Sequence, residues 1–233
     1  MDYKDRHVVV TGGTGALGTA VVGALLGQGA ICHIPYRSEE EARRFPHRGF
    51  TQVSLVSVAD LADEDAVTAF YQDLKGLWAS IHIAGGFAYA PIADSDGGVL
   101  TGQLQTNLVS TYLCSRAAVA AMRRGGGGGR IVNVAARQAL EPRLGANLTA
   151  YAVAKAGVAA LTVALGEEVA HDGIWVNAVA PSIMDTPANR QSMPKADFAA
   201  WPSVEDVAAT IVYLASPQNR ATRGAIVPAY GRV

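Results

Sequence analysis

A chain of 233 residues, half of them hydrophobic and only 17% charged, is long enough to bury one sizeable α/β core and too apolar to be disordered. Its formal net charge of -1 excludes a nucleic-acid or membrane partner drawn in by bulk electrostatics. Two cysteines, Cys32 and Cys114, are too few for a disulfide framework or a cysteine-rich metal site, and no metal is expected.

The opening residues, MDYKDRHVVV, are charged and then run into a short apolar strand at 7–10. They contain no signal-peptide core, and no uninterrupted apolar run looks long enough to cross a bilayer, so a cytoplasmic protein is the expectation. The period then switches to that of a helix over 16–28, and AICHI (30–34) reads as the second strand. A short charged helix at 38–45 precedes a third strand at 50–56. Helical spacing at 64–74 leads to a fourth strand at 79–85, then to a long helix between 102 and 124. The glycine run 125–129 reads as a solvated turn. A fifth strand at 130–134, a helix at 149–171, a sixth strand at 174–180, a helix at 204–215 and a last strand at 224–229 complete the series. Apolar strands alternating with helices predict a doubly wound, mostly parallel sheet with helices on both faces.

Between the first strand and the first helix stands TGGTGALG, with Gly12, Gly15 and Gly18. Glycines let the backbone turn sharply and approach a pyrophosphate, and the helix start offers free N–H groups and a positive dipole end. The second strand runs into Tyr36-Arg37 with no acid before Glu39. An acid there would hold a ribose 2′-OH, whereas an arginine pairs with a 2′-phosphate, so NADP(H) is favoured and NAD(H) is the alternative. Tyr151 and Lys155 in YAVAK share one helix face. A lysine ammonium close to a phenol lowers the tyrosine pKa from its usual ~10, which suits proton exchange while a nicotinamide carries the hydride.

These motifs resemble those of the short-chain dehydrogenases/reductases over essentially the whole chain. IHIAGG (81–86) is similar to that family's NNAG strand end, with His82 and Ile83 in place of the asparagines, and VADLAD places Asp60 where the family keeps an acid near the adenine. The resemblance implies a single Rossmann-type domain over 1–233, a seven-stranded sheet ordered 3-2-1-4-5-6-7, and a substrate-covering segment at about 183–203. It assigns the cofactor to Gly12, Thr14, Gly15, Ala16, Leu17 and Gly18, to Tyr36, Arg37, Asp60 and Leu61, and to Ala84, Gly85 and Gly86. Tyr151, Lys155, Pro181, Ile183 and Thr186 complete that set, the last two facing the nicotinamide carboxamide. Tyr151 would be the proton donor, with Lys155 tuning it and Asn107 supporting Lys155. Related enzymes pair through long helices, so a homodimer or homotetramer is expected, with AAVAAM (117–122) and AGVAALTVAL (156–165) permitting close approach.

The family also keeps a serine after the fifth strand, and here the matching positions hold Ala136 or, counted back from Tyr151, Gln138. One branch, the dihydropteridine reductases, lacks that serine too. GGTGALGT, AGGF, AARQALE and MDTPANRQSMPKADFAAW look like segments of that branch. The resemblance implies a pterin-like C=N substrate, with Ala136, Gln138, Phe198 and Trp201 around it. Phe198 and Trp201 either stack on a flat ring or anchor the covering segment. The rivals are a carbonyl reductase for 3-oxoacyl or other ketones, and a non-catalytic NADP(H) sensor.

Overall fold

Strands and helices alternate throughout the computed structural model, which describes residues 2–233. The first half runs β1 (His7–Thr11), α1 (Ala16–Leu26), β2 (Ile31–Tyr36), α2 (Glu39–Arg44), β3 (Val53–Ser57), α3 (Glu64–Gln72), β4 (Leu77–His82), α4 (Gly97–Gln103) and α5 (Ser110–Arg124). The second runs β5 (Gly129–Val134), α6 (Arg137–Leu140), α7 (Thr149–Glu168), β6 (Ile174–Pro181), α8 (Pro187–Ser192), α9 (Val204–Leu214) and β7 (Ile226–Ala229). The sheet order is β3-β2-β1-β4-β5-β6-β7, and every neighbouring pair is parallel, where the sequence pattern implied only a mostly parallel sheet.

Successive strand residues point to opposite faces, so each strand feeds two cores. Val8 and Val10 of β1 join α1 and α9 on one face, while Val9 joins α3 and α5 on the other. Val158 of α7 packs on Ala178 and Ala180 of β6. Cys32 and Cys114 are free and buried, and burial pushes both thiols up to about 12.

Three expectations need correction. The helix expected over 102–124 is broken: α4 covers Gly97–Gln103, a π-helical turn covers 104–109, and α5 begins at Ser110. The residues of α7, 149–168, are long and apolar enough to span a membrane by length and composition. In the fold, α7 lays Ala154, Lys155, Val158, Thr162 and Gly166 inward, as a core helix does. Finally, AAVAAM does not face outward as a pairing surface, because Ala118, Val119, Ala121 and Met122 are buried beneath the sheet. The glycine run does form a turn, and Gly126, Gly127 and Gly128 all have positive φ (101, 84 and 79°), which only glycine adopts without strain.

A buried polar chain ties β4, β5 and α7 together. Thr162 donates to the Val158 carbonyl and accepts from Asn133 Nδ2 at 2.9 Å. The Asn133 amide oxygen is therefore an acceptor, and His82 Nδ1 donates to it at 2.8 Å. His82 Nε2 must then accept from Ser80, which in turn accepts from Tyr71, each at 2.8 Å. The imidazole is held neutral in one tautomer, and burial lowers its pKa from 6.5 to about 4. The unfolded chain binds a proton at this residue below about 6.5 and the folded chain does not, so stability falls as pH drops through that window. Urea midpoints at pH 7 and pH 5 should show wild type losing about 2 kcal/mol more than His82→Asn. Equal losses in both would remove His82 as the cause.

Candidate active site

β1 continues to β2 on one side while β4 returns on the other, so the loops above β1 and β4 diverge. Such switch points at the carboxyl ends of parallel strands are where open α/β sheets bind ligands. Here Thr11 pairs with His82, and the next residues of the two loops nearly touch. Gly12 has φ +68°, and a Cβ there would lie 2.7 Å from the Ala84 nitrogen. A Cβ on Gly18 would come within 2.1 Å of the Gly12 carbonyl oxygen. The glycines thus bring backbone to backbone beside an open cleft, and Ala16 and the buried Leu17 start α1 below it.

That cleft, about 260 Å³, fits a dinucleotide's adenosine and phosphate end. The phosphate turn contributes Gly12, Thr14 and Gly15, the end of β2 contributes Tyr36 and Arg37, and Asp60 and Leu61 follow β3. Ala84 and Gly85 form the far wall. Arg37 is exposed, and Asp60 accepts a hydrogen bond from the Ala62 N–H at 2.8 Å. Glu41 of α2 also lines the cleft, accepting from the Thr14 hydroxyl at 3.4 Å.

Beyond Gly85 lies the pair Tyr151 and Lys155. The Lys155 amine is buried and donates to the Val134 carbonyl at 2.8 Å, and burial lowers its pKa to about 8. It lies 5.9 Å from the centroid of the Tyr151 ring. The expectation that Lys155 depresses the tyrosine does not hold in this arrangement. Burial dominates and pushes the Tyr151 phenol up to about 12, so the hydroxyl keeps its proton at neutral pH. That is the state a proton donor for reduction requires.

Asn107 sits in the π-helical turn and does not bond Lys155. Its amide oxygen accepts from the Gly86 N–H at 3.1 Å, and its nitrogen donates to the Gly86 carbonyl at 3.0 Å. A Cβ on Gly85 would lie 2.7 Å from the Asn107 oxygen and 3.5 Å from the Lys155 amine. Asn107 therefore braces the loop that separates the cleft from Lys155.

Ala136 is buried at the start of α6 and brings no hydroxyl to Tyr151. Gln138 does not replace it: the residue lines a surface hollow with Val153 and Ala156, on the outward face of α7. Pro181 ends β6, Ile183 is 40% exposed, and Thr186 caps α8 by accepting from the Asn189 N–H at 3.2 Å. Phe198 and Trp201 pair at 5.1 Å, but Trp201 is buried in a hollow lined by Val207 and Pro228. That environment matches the anchor of the two roles.

Phe87 and Glu41 are among the residues at the site that escaped sequence reasoning. Phe87 meets the Tyr151 ring edge-on at 5.2 Å and is 63% exposed. Its only sequence signal was its place in AGGF. Glu41, one of three glutamates in a row, carried no signal at all.

The sequence profile described as short chain dehydrogenase matches residues 6–197. The chain belongs to the short chain dehydrogenase family. It is 35% identical to a galactitol 2-dehydrogenase of Rhizobium johnstonii, over 97% of this chain and 96% of the relative. It is 31% identical to a cis-4-hydroxycyclohexanecarboxylate dehydrogenase of Sinomonas cyclohexanicum, over 98% and 96%. The solved structure of ElxO with NADP bound superposes with a TM-score of 0.87 at 24% identity, covering 97% of this chain and 98% of that one. Short chain dehydrogenase membership makes this protein an oxidoreductase, and none of these relatives carries a pterin reductase name.

For this short chain dehydrogenase, Tyr151→Phe should lower kcat for reduction by ~10²–10⁴-fold with an unchanged melting temperature. In wild type, kcat should fall as pH rises through about 8, where Lys155 loses its charge. A pH-rate profile flat to pH 10 would remove Lys155 from the chemistry.

Proposed function

We propose that this protein is an NAD(P)H-dependent reductase acting on a C=N bond conjugated to a flat ring, a dihydropterin being the first candidate. Gly12, Gly15 and Gly18 would hold the pyrophosphate and Arg37 the 2′-phosphate, and the nicotinamide supplies the hydride when bound. Tyr151 gives up its proton at the hydroxyl. Lys155, charged at neutral pH and fixed on Val134, steadies the phenolate left behind.

The observation that carries the substrate reading is Phe87 against Tyr151, in a chain with Ala136 in place of a hydroxyl after β5. An exposed aromatic edge beside the proton donor favours a flat ring over a sugar chain. Protonating a ring nitrogen creates no alkoxide that a serine would have to steady. A second reading, oxidation of a secondary alcohol or reduction of a ketone, is favoured by the relatives' names.

A panel of quinonoid dihydropterin, cyclic ketones and sugar alcohols, followed by nicotinamide absorbance, separates the two. On the first reading the pterin is turned over fastest, and Ala136→Ser leaves its rate within a few-fold. If Ala136→Ser raises ketone reduction by orders of magnitude while pterin turnover stays undetectable, the second reading stands.

Assembly into a homodimer or homotetramer is part of the same proposal. The outer face of α7 presents Val153, Ala156, Ala160 and Val163, an apolar stripe at helical spacing, and Tyr112 of α5 is 53% exposed. Light scattering at micromolar concentration should give a dimer or tetramer, and Val163→Glu should shift it toward monomer. A wild-type monomer overturns this element.

A further inference from the structure

The charges around the cofactor cleft do not add up to a simple phosphate clamp. Arg37 is the single cation among the cleft's lining residues and forms no ion pair among the described residues. Two carboxylates, Glu41 and Asp60, line the same cleft. The other charges of α2 are committed elsewhere. Glu40 pairs with Arg44, Arg43 donates to the Glu39 carbonyl at 3.2 Å, and Glu39 accepts from the Tyr36 hydroxyl at 2.7 Å. Glu41 is the one carboxylate of α2 that reaches across to the phosphate turn, where Thr14 holds it. A 2′-phosphate gripped by Arg37 would therefore lie within Coulomb range of Glu41. A ribose 2′-OH in the same place carries no charge to oppose.

We infer that Glu41 is a specificity-determining residue that opposes Arg37, so that the protein accepts NADPH and NADH with comparable affinity. The inference rests on the proposed pairing of Arg37 with a 2′-phosphate and adds the group that limits it. Removing one unit charge a few ångströms from a phosphate dianion, in a solvated cleft, tightens binding by about five- to tenfold. The effect is electrostatic and shrinks at about 1 M salt, where the screening length is ~3 Å. Asp60 engages the Ala62 N–H and stays in place, so the shift belongs to Glu41 alone.

The test is direct binding of NADPH and of NADH to the full chain, by calorimetry or nucleotide fluorescence, for wild type, Glu41→Gln and Arg37→Ala. The expected result is wild-type dissociation constants within about tenfold of each other. Glu41→Gln should tighten NADPH about five- to tenfold, change NADH far less, and lose that gain at high salt. Arg37→Ala should weaken NADPH at least tenfold. If Arg37→Ala behaves so while Glu41→Gln moves neither nucleotide, the role of Glu41 is overturned and the Arg37 reading survives. If Glu41→Gln weakens NADH, Glu41 is a ribose acceptor and the inference fails. If Arg37→Ala leaves NADPH unchanged, the Arg37 reading fails, and with it the inference that rests on it.

Discussion

An amine shut away from water has to be met by an oxygen, and the Val134 carbonyl meets that of Lys155. Much of the site depends on that contact. It pins α7 to the end of β5, and so fixes where Tyr151 stands, one helical turn before Lys155. On the other side of the amine the chain must come in without a side chain, and Gly85 does so between Lys155 and Asn107. Asn107 is available because the helix relaxes into a π turn there, a local widening that tends to occur at functional sites. One buried cation thus recruits a strand end, a helix, a glycine loop and a helical irregularity.

The parallel sheet was legible because β1, β4, β5 and β6 carry apolar runs bounded by turns and the glycine pattern opens α1, while its strand order followed from the family resemblance. What could not be read is equally physical. The helices α4, α6 and α8 are four to seven residues long, too short for a helical period to show. For α4, Gly97 and Gly98 also look like a loop, while Asp96 caps them into a helix by accepting from the Val99 N–H. Within the site, spacing along the chain identified Tyr151 and Lys155 but not their electrostatics. Two neighbouring groups were expected to lower one pKa, and burial, which no spacing reports, raised it. Gln138 illustrates the same limit. Counting thirteen residues back from Tyr151 takes no account of the short helix α6, which turns the side chain to the far face of α7.

The absence of a hydroxyl at Ala136 acquires a different meaning once Phe87 is in view. The position is a buried methyl, and the Phe87 ring stands against Tyr151. Burial of Tyr151 disfavours its phenolate and raises the phenol. The chemistry of the surroundings and the protonation of the donor are one fact seen twice.

Where Gly12 approaches Ala84 at the cofactor cleft, peptide groups meet peptide groups. Peptide groups have no rotamers to sort through when a ligand arrives, so little side-chain entropy is spent in forming this surface. A surface of that kind keeps its shape on warming for as long as the two strands beneath it stay paired. Its durability is a property of the sheet, and heat should abolish nucleotide recognition only when it abolishes the fold.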